Sequence, residues 1–200
     1  MRGGLNILVG LILMLSGCSA IDDPSKDNLL SSFGTRNPVR SDFFACYGYG
    51  CKYRTRIALT AEEWLDVRAD FDPPAEDAAT ERTQLAEAVA RIERLVGGRT
   101  GTLVHQRDSR ANFGDPTQLD CVDNSVNTWT YLTMLAHDGL LRHHRVGGLA
   151  HRGTLLTLDF SNTAVIVEKE SGEAFAVDPW LGEAGVPPPV FSLDLWYREG

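Results

Sequence analysis

The 200-residue chain contains no unbroken run of the roughly 20 apolar residues that a membrane-crossing helix requires. Its greasiest stretch, Leu5 to Leu15, is short and interrupted by Asn6 and Gly10, which excludes a permanent span. No cluster of Lys and Arg occurs that would neutralise a row of phosphates, so nucleic acid is not an expected partner. The charge balance is acidic instead, with 19 Lys and Arg against 27 Asp and Glu and a formal net charge of -8. That balance bears on solubility and says nothing of fold. Only four cysteines are present, and no second pair of Cys or His stands at zinc-site spacing from Cys46 and Cys51. No metal or cofactor is expected.

What the amino terminus does contain is a basic Arg2, a short apolar middle and a small-residue exit, the pattern of an export signal over residues 1–17. The exit, Leu15-Ser16-Gly17-Cys18, resembles the lipobox of bacterial lipoproteins. The resemblance implies cleavage before Cys18, acylation of that cysteine, and a domain held at a membrane by lipid. The non-acidic Ser19 implies, by the same resemblance, the outer membrane and a periplasm-facing domain. Removal of Arg2 with the signal makes the mature chain one unit more negative.

Residues 18–42 are rich in Ser, Asp, Asn and Pro and read as anchor and flexible tether, leaving residues 43–200 as one domain. Cys46 and Cys51 flank two glycines in an exported chain, which points to a small disulfide loop. Cys121 is then the odd thiol.

Thr60-Ala61-Glu62-Glu63 is a capping box opening a helix with Trp64, Leu65 and Val67, ended at Phe71-Asp72-Pro73-Pro74. From Ala75 a second helix carries Leu85, Val89, Ile92 and Val96 on one stripe, leaves Glu81, Glu87, Arg91 and Arg94 wet, and stops at Gly97-Gly98. Residues 99–117 read as a surface loop. A third helix starts near Cys121, aligns Val122, Val126, Trp129, Leu132 and Leu135, and closes at Gly139. Leu155 to Phe160, Thr163 to Val167 and Ala174 to Val177 are strand-like runs, the last two joined by a turn at Glu170–Glu173. Pro187-Pro188-Pro189 is a stiff connector before Trp196. Helices followed by an antiparallel sheet predict an α+β fold.

Gln118-Leu119-Asp120-Cys121-Val122-Asp123-Asn124 places a thiol at a helix start, where backbone N–H groups and the helix dipole favour a thiolate. Asp120 is placed to cap that helix, and its charge opposes the dipole at the sulfur. Asp123 and Asn124 read as further capping groups or solvated acids and not as calcium ligands, since the loop spacing is wrong. A buried cysteine that only fills space is the alternative to a reactive one.

Asp-Cys-x-Asp at a helix start, followed by a β meander with an aspartate ending a strand, resembles the transglutaminase-like and papain-like cysteine hydrolases of bacterial envelopes, over residues 118–180. The resemblance implies a papain-like core and a catalytic cysteine at Cys121. It also implies an orienting acid at Asp178 and, as substrate, peptide or isopeptide bonds of an envelope peptide or protein. Where that family begins a strand with histidine, this chain has Ser161 and Asn162, neither of which takes up a proton near neutral pH. His151, in a glycine-flanked turn, is the best substitute. His143 and His144 alternate across a strand, so one at most faces the site. His137 lies about four helical turns from Cys121. Gln118 is a candidate oxyanion contact. The rival reading is a catalytically inactive binding or scaffolding lipoprotein on the same fold.

Overall fold

The computed structural model describes Leu30 and residues 37–104, 114–153 and 160–198. Among them are four α-helices and two small antiparallel sheets, a mixed α+β arrangement. None of the described helices is long and apolar enough to cross a membrane. The expected run Leu155 to Phe160 falls almost wholly outside the described residues, as does the signal.

A hairpin comes first, β1 (Phe43–Tyr47) against β2 (Tyr53–Ile57). Helix α1 (Ala61–Ala69) opens on the expected capping box: Glu63 N–H donates to Thr60 Oγ1 at 3.1 Å, and Thr60 N–H to the Glu63 carboxylate at 2.8 Å. Helix α2 (Ala78–Thr100) starts at the N-cap Asp77 and runs through the glycine pair, ending at Gly101 in the left-handed conformation. Gly97 is no stop signal here. A Cβ on it would lie 2.9 Å from the Leu103 side chain, so its smallness serves packing. Helix α3 (Cys121–His137) ends before Gly139, at φ 72°.

The second sheet has the order β3-β4-β5-β6, with β3 (His144–Arg152), β4 (Ser161–Glu168), β5 (Ala174–Val177) and β6 (Val190–Ser192) antiparallel throughout. Strand β3 is irregular between Val146 and Leu149, where Trp129 Nε1 donates to the Gly147 carbonyl at 2.9 Å. Period-two alternation gives the sheet two buried faces. Ala164, Ile166, Phe175 and Val177 pack with α2, α3 and the hairpin; Val165, Val167 and Ala176 pack with Trp196 of the short α4 (Leu193–Arg198).

Two further expectations change. The tether does not extend to residue 42: Leu30 is in the main core, and Leu59 N–H donates to the Arg40 carbonyl at 2.7 Å. Glu81 is not wet but fully buried, accepting the N–H groups of Arg142, His143 and His144 and the His144 ring nitrogen Nδ1 at 2.5–2.9 Å. That carboxylate ties α2 to the start of β3.

Glu93 is buried with one N–H donor, from Gly185 at 2.9 Å, and burial pushes its carboxyl up to about 7. A folded-state value above the unfolded one means stability present below about pH 4.5 and lost as pH rises through 7, on the order of 3 kcal/mol in all. Urea unfolding at pH 5 and 8 is expected to show wild type losing more stability than Glu93→Gln; parallel losses would refute the assignment.

Candidate functional site

The site is built where α3 begins. Asp120 is its N-cap in extended backbone, accepting the Asp123 N–H at 2.8 Å, while Asp123 returns the bond by accepting the Asp120 N–H at 3.2 Å. Two aspartates thus make a capping box, and Asp120 has the role the sequence suggests. Asp123 is not solvated. It is fully buried beneath the hairpin loop, accepting Tyr49 N–H at 2.7 Å and Cys51 N–H at 2.6 Å, while Gly50 N–H reaches Asp120 at 3.0 Å. Burial and the Asp120 charge push the Asp123 carboxyl up.

Three successive N–H groups converge because Gly48, Tyr49, Gly50 and Cys51 all have left-handed backbone, φ 80°, 70°, 66° and 55°. Successive residues in that conformation turn their N–H groups to one side, the geometry of an anion nest, filled here by the protein's own carboxylates. For Tyr49 and Cys51 it costs roughly 1–2 kcal/mol each. The Cys46–Cys51 disulfide closes the turn, as expected from the sequence. Asn127 brackets Cys46, accepting its N–H and donating to its carbonyl, both at 2.8 Å. Asp120, Asp123 and Asn127 share one helical face by their three- and four-residue spacing.

Cys121 lies about 100° round the helix from Asp120, towards the start of β4. Its thiol donates to the Phe160 carbonyl at 3.7 Å, and its sulfur accepts an N–H from Asn162 Nδ2 at 3.4 Å. The Asn162 oxygen lies 3.0 Å from His151 Nδ1, the cross-strand neighbour in register, and the His151 ring stacks on Phe160. With the amide oriented towards sulfur, Nδ1–H of the imidazole donates to the Asn162 oxygen. The three side chains form a line in which Asn162 separates imidazole from thiol.

Cys121 is partly exposed. Burial nevertheless raises its pKa; the Asn162 hydrogen bond opposes this, and the charges of Asp120 and Asp178 reinforce it. These surroundings work against the thiolate that a helix start would otherwise favour.

Asp178 is brought near but does not join the line. It follows Ala176 by two residues and faces Trp196 on the sheet's other side, accepting Trp196 Nε1–H at 2.7 Å and Trp180 N–H at 3.2 Å. Burial raises its pKa. Gln118 is buried and donates its amide to the Val104 carbonyl at 3.2 Å. His143 Nε2 pairs with the Ala75 carbonyl and His144 is sealed beside Glu81, so neither serves Cys121. Two clefts of about 600 and 430 Å³ are lined by other residues, the first by Leu65, Phe71 and Leu140, the second by Arg82, His143 and Lys169.

No family model, curated protein or solved structure matches the chain.

Proposed function

We propose that this chain is a bacterial envelope lipoprotein, anchored through lipid on Cys18 with its domain facing the periplasm, most naturally from the outer membrane. On this reading the domain keeps the layout of transglutaminase-like and papain-like cysteine hydrolases and acts by binding an envelope peptide or protein without cleaving it. One observation carries the second half: the sulfur of Cys121 receives an amide N–H from Asn162 at 3.4 Å, at the place where a hydrolase of that kind needs a proton acceptor. An amide neither takes the thiol proton nor returns it to a leaving group. Asp178, the acid that would steady an imidazole, holds Trp196 instead.

Cys121 is the free thiol of the described chain, so its labelling reports the site directly. A thiol probe is expected to label wild type slowly at pH 7, to accelerate only above the ordinary thiol range near pH 9, and to leave Cys121→Ala blank. Fast labelling with a midpoint near neutrality would favour a working cysteine hydrolase. The anchor is tested separately, by incorporation of radiolabelled palmitate into wild type and its absence from Cys18→Ser.

A further inference from the structure

The bridge between Cys46 and Cys51 does not merely fasten a hairpin. It closes the left-handed turn that feeds N–H groups to both capping aspartates of α3, and Cys121 is the first residue of that helix. We propose that the Cys46–Cys51 disulfide is a redox-controlled clasp: reduced to two thiols, it lets the turn leave Asp120 and Asp123, opens the first turn of α3 and exposes Cys121.

The chain of effects is local. Tyr49 and Cys51 occupy a conformation that L-residues leave unless something holds them. The covalent ring and the aspartate contacts are the described restraints. Without the ring both residues relax to negative φ, and the N–H groups of Tyr49, Gly50 and Cys51 no longer converge. Asp120 and Asp123 then remain side by side with their charge-assisted donors gone. Asp123, sealed under the turn when oxidised, gains by moving towards water, and the reciprocal capping box opens. The Cys121 sulfur comes away from Phe160 and Asn162 with it. Asn127, two turns into the helix, grips the Cys46 backbone and not its sulfur, so the body of α3 stays docked.

The chemistry balances with a dithiol as reductant. The S–S bond takes two electrons and two protons, giving the thiols of Cys46 and Cys51, and the dithiol leaves as its own disulfide. Cys121 is neither oxidised nor reduced. Cys46 and Cys51 are themselves buried, but Gly50 and Lys52 on either side of Cys51 are exposed, so the dithiol has to enter at the tip of the turn.

The test uses the full chain, oxidised or pretreated with dithiothreitol and desalted. Alkylation is followed on the peptide containing Cys121 by mass spectrometry, with circular dichroism to report folding. Reduction is expected to speed alkylation of Cys121 about tenfold or more without loss of the helical signal, as opening of one turn requires. Equal rates in the two forms overturn the proposal. Asp123→Asn, with the disulfide intact, replaces one of the three carboxylate oxygens that receive the turn and is expected to speed Cys121 in the same direction. If reduction acts and Asp123→Asn does not, the coupling does not run through the carboxylates and the clasp mechanism is wrong. Amide exchange at Asp123 and Asn124 gives the same comparison should a variant prove unstable.

Discussion

Asn162→His is expected to speed alkylation of Cys121 at pH 7 by roughly ten- to a hundredfold. The position already delivers a side-chain nitrogen to 3.4 Å from the sulfur, so an imidazole there falls within reach of the thiol proton. A thiolate–imidazolium pair replaces a neutral thiol held up by burial, and the ionised fraction at pH 7 rises. The decisive measurement is the rate against pH in wild type, Asn162→His and the double variant with Cys121→Ala. A profile whose midpoint does not move down would mean that the histidine points elsewhere. Amide hydrolysis is not expected from this change alone, because Asp178 is occupied by the indole of Trp196.

The second large effect concerns stability. Glu81→Ala is expected to destabilise the domain by about 3–5 kcal/mol, because it strands the N–H groups of Arg142, His143 and His144 and the buried His144 ring together. Burial works against the Glu81 charge, yet the hydrogen bonds from His144 and the backbone hold its carboxyl below the usual value. A depressed folded-state value gives stability present above the ordinary carboxylate pKa and lost as pH falls through the folded one. The gap between wild type and variant therefore narrows in acid. Urea unfolding at pH 7 and pH 3 checks both points, and a loss under about 1 kcal/mol at pH 7 would show that the backbone donors find other acceptors.

Glu81 also shows what the sequence held and what polarity concealed. Residues 81, 85, 89, 92 and 96 have the spacing of a single stripe, so the acid sits on the buried side of its helix. Polarity alone assigned it to water, and the burial makes sense only with the backbone of β3 turned towards it. The apolar faces of α2 and α3 and the run of β5 were legible because periodicity dominates there. Strand β3 was legible only at its start, where His143 and His144 alternate; Gly147 and Gly148 break the pattern where the ladder shifts and Trp129 takes up a carbonyl, so His151, expected in a turn, lies in the strand instead. The hairpin was hidden behind its cysteines: five residues a side, with Arg54 and Arg56 exposed, give a weak strand signal.

At the site, a thiol heading a helix was readable from the capping pattern, and so was the absence of histidine at the start of β4. The direction of Asp178 was available by counting. Val177 faces the main core, so its neighbour faces the other way. The clasp was beyond reach, because its contacts join residues more than 70 positions apart through a left-handed turn.

Leu30 has a bearing on where this domain can work. With lipid on Cys18, only twelve peptide steps separate the bilayer from a side chain locked into the globule. Even drawn straight, that leash measures roughly 40 Å. On the proposed anchoring it is Leu30 that stays within this leash of the lipid headgroups, and lengthening the stretch between Ser19 and Leu29 is the direct way to widen the domain's radius of action.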